Sequence, residues 1–509
     1  MSIKTGKKQS FFNISLNVLA FGVQFFIGFY ISPLIVSRVG ASAYGFIGLA
    51  NDFVSYAAII ASIFNSVAAR FIANAYYKSD YERANRYFNS LIVANIGISS
   101  FLGLITVLFI PNIQRVLTVP DELILDVKIT FAIVFISYII TLLTLVFTTS
   151  TFVTNRTDIQ GIRNIIQSIL RLGLIIVFLN FISIKIYWIA LASLIAAAVI
   201  SVWNIRLTNQ LTPELKIDLK LSDKDCTIEL AKAGCWMAFS SISNILIRGL
   251  DLTVANVLIG DYEMGILSVA RTIPNNVTSV VGTIAPLFTP VFISLYVKKS
   301  NTDLINNIKS SIKTMAVILF VPITAFIVFS KDFYTLWQGS LSEEEIMMVT
   351  ALSTLTVVLA YFNSTTATMA QVSVVVNKLK SPVLVSFFVG LISFVVEIVL
   401  IKFTNMGIYA IVIPTTIILI LRYLLYNSFY AAWCLDQPLS CFLPETFKTY
   451  LSIPVLFLIM GVIRYFLPVS SWLHLIVDVV ICCIIGYALM IAIYWRKVVM
   501  EFVNKHKRA

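Results

Sequence analysis

Charge is what this sequence has least of. Lys, Arg, Asp and Glu together make up 12% of its 509 residues, about half of the roughly 25% that soluble domains carry. So few charges cannot keep the surface of a chain this long in water, which excludes a soluble globular fold. Histidine is nearly missing: His474 and His506 are too few and too peripheral for a metal site. The six cysteines, Cys226, Cys235, Cys434, Cys441, Cys482 and Cys483, match neither a zinc nor a redox spacing. Most lie in or beside apolar runs, where a thiol packs as a small hydrophobe. A glycine-rich phosphate loop is also lacking. No cofactor and no metal are therefore expected. The first apolar run has no small-residue cleavage site after it, so Lys4, Lys7 and Lys8 lead into a retained membrane helix rather than a removed signal.

What the chain has in excess is apolar length. Hydrophobic residues make up 59%, and the mean hydropathy is +0.92. A helix that crosses the hydrocarbon needs about 20 apolar residues. Such runs lie near 11–36, 44–72, 89–111, 129–150, 164–183, 186–205, 233–259, 262–296, 314–330, 346–376, 381–401, 407–433, 449–467 and 472–495. They predict an all-α polytopic membrane protein of about 14 transmembrane helices. Pro274, Pro286 and Pro290, with Gly282 between them, predict a bend in the 262–296 span. That bend is either a gate or a static kink.

The cations set the orientation. Of 37 Lys and Arg residues, 25 fall in alternate connections if the N-terminus is inside: Lys4, Lys7 and Lys8, then Lys78 to Arg86, Arg156 and Arg163, Arg206 to Lys232, Lys298 to Lys313, Lys378 and Lys380, Lys448, and the basic tail from Arg496. Seven fall on the other side, and five lie within spans. Both termini are predicted to be cytoplasmic. Outer loops are short, the 331–345 loop with Glu343, Glu344 and Glu345 being among the longest, so no extramembrane segment is large enough to fold alone.

The sequence matches itself at an offset of 220. Val39, Gly40, Gly45 and Ala50 fall on Ile259, Gly260, Gly265 and Ala270, and Tyr76 and Lys78 fall on Tyr296 and Lys298. An offset of six helices preserves orientation, which predicts two six-helix lobes related by pseudo-two-fold symmetry about the membrane normal, plus two C-terminal helices. The boundaries are 1–207 for the first lobe, 208–226 for a cytoplasmic linker, 227–435 for the second lobe, and 436–509 for two added helices and a basic cytoplasmic tail. In two-lobed transporters of this kind the substrate path usually lies at the repeat interface.

Three stretches carry a family likeness: Ser37 to Gly45 (SRVGASAYG), the run from Asp251 to Gly265 (LTVANVLIG followed by DYEMG), and Asn377 to Pro382 followed by Asn405-Met406-Gly407. The chain resembles the multidrug/oligosaccharidyl-lipid/polysaccharide (MOP) flippase superfamily, and within it polysaccharide transporters of the Wzx type. The likeness is diffuse and covers nearly the whole length. It implies alternating access, and a substrate of undecaprenyl-pyrophosphate carrying an oligosaccharide repeat unit. It also implies a multi-pass protein of the bacterial inner membrane, serving surface polysaccharide synthesis, with a polysaccharide polymerase complex as a further partner. Nucleic acid is not an expected partner.

Ionisable residues within spans cost roughly 2.5–3.5 kcal/mol each at mid-helix, and they usually face a cavity or a partner. Arg248, Arg271, Arg171 and Arg70 are candidate substrate-cavity residues, because guanidinium keeps its charge and offers forked donors to a pyrophosphate. Asp52, Asp251 and Glu397 are candidates for proton coupling or ion pairing. Arg248, Asp251 and Arg271 read equally as a structural ion cluster across a helix hairpin, and Arg70 reads also as a snorkelling residue.

Three function classes compete. A transporter of lipid-linked oligosaccharide fits five intramembrane arginines against four carboxylates, Asp52, Asp251, Glu397 and Asp478. An ion-coupled small-molecule or multidrug exporter of the same superfamily would favour an acidic cavity. A membrane-bound polymerase or glycosyltransferase would need a catalytic surface that short loops do not supply, so a transporter rather than an enzyme is expected. The orientation is directly testable. A fluorescent reporter fused after Lys220 should glow and a phosphatase fused after Leu341 should be active; the opposite pair of results would invert the topology.

Overall fold

The computed structural model describes residues 7–494, apart from the side chains of 7–15, 17, 18 and 21. Lys4 and the basic tail from Arg496 lie outside the described residues. Among the described residues, fourteen helices are long and apolar enough to cross a membrane, the number that hydropathy predicts. They are α1 (Lys7–Val39), α2 (Ala41–Tyr77), α3 (Tyr81–Phe109), α4 (Asp121–Val153), α5 (Thr157–Phe181), α6 (Tyr187–Leu211), α7 (Lys224–Gly249), α8 (Asp261–Val297), α9 (Asn301–Trp337), α10 (Glu343–Val375), α11 (Lys380–Phe403), α12 (Tyr409–Cys434), α13 (Leu443–Phe466) and α14 (Trp472–Tyr494). Among the described residues there is no strand, as expected where lipid cannot satisfy an open sheet edge.

Turns follow a rule that the charge count anticipates. The chain leaves α2, α4, α8, α10 and α12 through Ser79, Asn155, Lys299, Asn377 and Asp436, all with φ between 53° and 60°. A residue in this left-handed conformation closes a helix C-terminus by returning N–H groups to the last carbonyls. Asp80 N donates to Ala75 O, Ser300 N to Leu295 O and Lys378 N to Ser373 O, at 2.8–3.1 Å. Ser79 and Lys299 are 220 residues apart, so the register read from sequence recurs as backbone conformation. Asp80 then caps α3, accepting from Arg83 N at 3.0 Å.

On α8, Pro274 is accommodated within the α-helix, whereas the helix changes form at Pro286. The α-helix runs to Ile284, tightens to a 3₁₀ turn at Ala285–Phe288 and resumes at Thr289. Pro286 lies within the 3₁₀ turn, where an α-helix would need the N–H that proline lacks.

By internal contacts the chain groups into two compact units, Met1–Ser268 with Ser386–Leu391, and Val269–Val385 with Ile392–Ala509. In the first, α7 packs along α2 and α3. The approach is so close that a Cβ on Gly234 would lie 1.7 Å from Ile63 O. The two glycines of the repeat also meet. A Cβ on Gly45 would lie 2.9 Å from Gly265 Cα, and a Cβ on Gly265 would lie 2.5 Å from the Ala41 carbonyl carbon. Ser42 Oγ donates to Asp261 Oδ2 at 2.5 Å beside this contact.

The second unit is built on α9, with Phe320, Met315 and Tyr361 at its centre. Buried hydroxyls are paired there: Thr324 with Tyr361 at 2.7 Å, and Tyr334 with Ser353 at 2.7 Å. Helices α13 and α14 lie on α9 and add Leu456, Met460 and Cys482 to this core. Arg464 of α13 pairs with Asp332 at 2.9 Å.

The connection between α6 and α7 is laced to α3 rather than left loose. Asn85 donates to Glu214 O and accepts from Lys216 N, at 2.8 and 2.7 Å. One helical turn on, Asn89 donates to Lys216 O and accepts from Asp218 N, both at 2.9 Å. Ser90 completes the set with Asp223, donating to its carbonyl at 3.0 Å and accepting from its N–H at 2.9 Å. The side chains thus act as a partner strand for an extended segment. Asp223 ends it and caps α7, accepting from Asp225 N at 2.8 Å. That bond first, and Arg86 next, hold the Asp223 carboxyl below the usual carboxylate range. This contribution is complete above the ordinary carboxylate pKa and is lost as pH falls through the lowered value.

Two outcomes follow from this packing. Asn85→Ala with Asn89→Ala should expose residues 212–223 to limited proteolysis and faster amide exchange while the helices stay protected; unchanged protection would refute the lacing. Gly265→Leu should cost about 1–3 kcal/mol by overpacking and lower the unfolding temperature in detergent, whereas Gly282→Leu, with nothing within 4 Å of its Cβ position, should not.

Candidate functional site

Helix α5 carries the polar side chains that organise the first unit. Gln160, Arg163, Asn164, Gln167 and Arg171 recur at three and four residues, the spacing that places them on one helix face. Ile162, Ile166, Ile169 and Val177 are exposed along the same helix, as lipid contact requires. Gly161 lets α5 approach α1, its Cβ position 3.1 Å from the Leu16 carbonyl. Arg38 fastens the other end, donating to Asn180 Oδ1 at 2.7 Å and Leu179 O at 3.2 Å.

The inward face of α5 opens on a cavity of about 560 Å³, within the 300–1,000 Å³ range usual for ligand sites. Helices α1, α2, α4, α5 and α6 line it together with Ser268 of α8, and Arg171 borders both it and an adjoining space of about 420 Å³. The polar lining comprises Gln24, Asn51, Ser137, Thr141, Gln167 and Ser193, with Tyr44 and two further serines. No carboxylate is among the residues that line either space. Arg171 Nε is buried and has no hydrogen-bond partner among the described residues.

The hydroxyls are largely committed as donors. Thr141 donates to Ser137 O at 2.9 Å and Ser193 to Ile189 O at 3.0 Å, within their own helices. Asn51 Nδ2 does the same to Ile47 O at 2.7 Å. Such groups keep acceptor lone pairs available. The site therefore combines one fixed cation with neutral acceptors, an arrangement suited to an anion bearing hydroxyl groups.

Of the predicted cavity residues, Arg171 lines this space and Arg70, Arg248 and Arg271 do not. Arg70 is exposed on α2, where its guanidinium can reach polar surroundings. Arg248 and Asp251 are partly buried and engaged with neighbouring groups, as are Asp52 and Arg271. One geometric expectation changes. Ile245–Gly249 is a π-turn and α-helix resumes only at Asp251, so a spacing of three does not put Arg248 and Asp251 on one uninterrupted α-helical face. Glu397, in the second unit, is 2% exposed and accepts from Thr415 and, at 3.3 Å, from Ser393.

The sequence reading missed Gln24, Asn51 and Gln167, and it placed Arg163 in an inner connection. The structure puts Arg163 inside α5 with 2% exposure. Helix α5 starts at Thr157, directly after the left-handed turn at Asn155, and not near 164. The Arg163–Gln167–Arg171 spacing of four was the available signal.

Comparison with known proteins agrees with this architecture. A family model described as polysaccharide biosynthesis protein matches residues 11–296. The chain is 26% identical over 502 residues to the uncharacterized membrane protein EpsK of Bacillus subtilis (strain 168), covering 98% of each. Its fold is similar to that of the lipid II flippase MurJ in an inward closed conformation, with TM-score 0.68, 14% identity, and 95% and 99% of the two chains covered. It is also similar to an inward-facing multidrug resistance transporter of the MATE family, with TM-score 0.65, 15% identity, and 86% and 95% covered. The family model covers more than half of the chain and the fold is polytopic and helical, so the chain belongs to the polysaccharide biosynthesis protein family.

Proposed function

We propose that this multi-pass membrane protein flips an undecaprenyl-pyrophosphate-linked oligosaccharide repeat unit from the inner to the outer face of the bacterial cell membrane, by alternating access. The observation that carries this reading is Arg171, a guanidinium with an unpartnered buried Nε in a polar cavity whose lining has no carboxylate. A diphosphate supplies the counter-charge that this cation lacks, and neutral acceptors along α1, α2, α4 and α6 suit sugar hydroxyls. Arg70, Arg248 and Arg271 are further cations for the lipid head, and Asp52, Asp251 and Glu397 are the groups through which proton coupling would run. Export of cationic drugs fits this cavity poorly, because nothing in its lining offsets a positive ligand. In this reading both termini are cytoplasmic, the protein is a transporter without catalytic chemistry, and a polysaccharide polymerase receives the flipped unit.

Deletion of the gene should strand lipid-linked repeat units on the inner leaflet and abolish surface polysaccharide. Arg171→Ala should lower transport roughly 10- to 100-fold, the equivalent of about 1.5–3 kcal/mol for charge-assisted hydrogen bonds, at unchanged membrane abundance. Arg171→Lys should retain part of the rate. Arg248→Ala and Arg271→Ala should also impair flipping. Surface polysaccharide that persists after deletion, with drug sensitivity instead altered, would overturn the assignment in favour of an exporter.

A further inference from the structure

Below Arg171 on the same face of α5, the first unit holds a second and smaller chamber. It has a volume of about 140 Å³ and is lined by Arg163, Gln160, Asn164, Thr144, Ser201 and Asn204, among others. It shares Thr141, Gln167 and Ala197 with the lining of the larger cavity. Arg163 is 2% exposed, and two of its guanidinium nitrogens, Nε and Nη1, are buried without a hydrogen-bond partner among the described residues. No carboxylate is among the residues that line the chamber. The neighbouring acid, Asp158, is held by Arg156 at 3.0 Å.

Arginine does not shed its proton in a protein, so burial cannot neutralise Arg163 as it can a lysine. An uncompensated buried cation costs several kcal/mol. Water in the chamber would hydrate the guanidinium but leave its charge standing in a low dielectric. The chamber has room for one small ion and a few waters, and not for a glycosylated lipid head. The walls are of the right kind. Thr144 donates to Ile140 O at 2.9 Å and pairs with Ser201 at 2.8 Å, so the further donors are the side-chain amides of Gln160, Asn164 and Asn204 that line the chamber. Asn204 has an unpartnered Oδ1, so turning its amide directs Nδ2–H groups inward at no lost bond to that oxygen.

We propose that the first unit binds one small inorganic anion, chloride or a tetrahedral oxyanion, in the Arg163 chamber as a resident counter-ion. The site is distinct from the substrate cavity, and it stands whatever the transported molecule proves to be. The ion neutralises the inner end of the α5 stripe, so that the Arg171 cavity presents its charge alone.

The test uses the full-length purified protein in detergent. Sodium chloride and sodium sulfate are each titrated against sodium gluconate at constant ionic strength, and the thermal unfolding midpoint is read. A ligand that binds only the folded state raises that midpoint with its concentration. Wild type and Arg171→Gln should both gain several degrees with chloride, sulfate or both; the anion that acts identifies the species. Arg163→Gln should show no gain. Crystals grown in bromide should give an anomalous peak within hydrogen-bonding distance of the Arg163 guanidinium if the ion is a halide; if sulfate alone raises the midpoint, the peak should be absent and sulfate density should occupy that place. Should Arg163→Gln fail to fold, Asn204→Leu should reduce the gain, and the diffraction result decides. An unchanging midpoint in wild type, a full gain in Arg163→Gln, or an ion located away from Arg163 would each overturn the proposal.

Discussion

Hydrocarbon gives a polar group no partner, and that constraint shapes every helix of this protein. Serine and threonine hydroxyls return to carbonyls of their own turn, as Thr106 does to Leu102 O at 2.7 Å and Thr130 to Asp126 O at 2.7 Å. The carboxylate of Asp126 meets Lys185 at 3.0 Å, and Glu397 is met by Thr415 and Ser393. Helix α5 departs from this economy. It turns isoleucine to lipid and two arginines inward, and leaves donors of both unsatisfied by protein. In a solvent that tolerates no orphaned charge, such donors mark where something other than protein belongs.

Much of the fold was legible because it obeys period and charge. Fourteen apolar runs correspond to fourteen helices among the described residues, and the basic connections after α2, α4, α8, α10 and α12, though not that after α6, begin with left-handed turns. Pro286 broke α8 where its missing N–H requires. Other features were hidden because they depend on partners distant in sequence. Nothing local distinguishes Asn85 and Asn89 from surface asparagines; they matter because residues 214–218 lie against them. The π-turn at Ile245–Gly249 has no proline to announce it. Arg163 looked like a loop cation because the hydropathic run starts after it, whereas the helix starts earlier, at the Asn155 turn.

The candidate site was half visible for the same reason. Charge inside a span is conspicuous, so Arg171 was among the residues singled out; which arginines border a cavity is a tertiary fact. The cavity is defined as much by Asn51 and Ser193 as by Arg171, and neutral residues of that kind blend into any membrane helix. What the comparisons add is the setting, a family named for polysaccharide biosynthesis. The lining itself sets a single guanidinium among neutral acceptors, a contrast of charge and polarity that local sequence does not display.

Gly45 and Gly265 bear on how such a chain changes over generations. The two share one register at an offset of 220, and at each the facing stretch comes too close to admit a side chain. A duplicated segment is ordinarily free to diverge, since each copy meets different neighbours. Here the two stretches are each other's neighbours: a side chain on Gly45 would meet Met264 and Gly265, and one on Gly265 would meet Ala41 and Ser42. A bulkier residue at either glycine requires the facing backbone to shift, which sets a steric limit on how far either stretch can diverge.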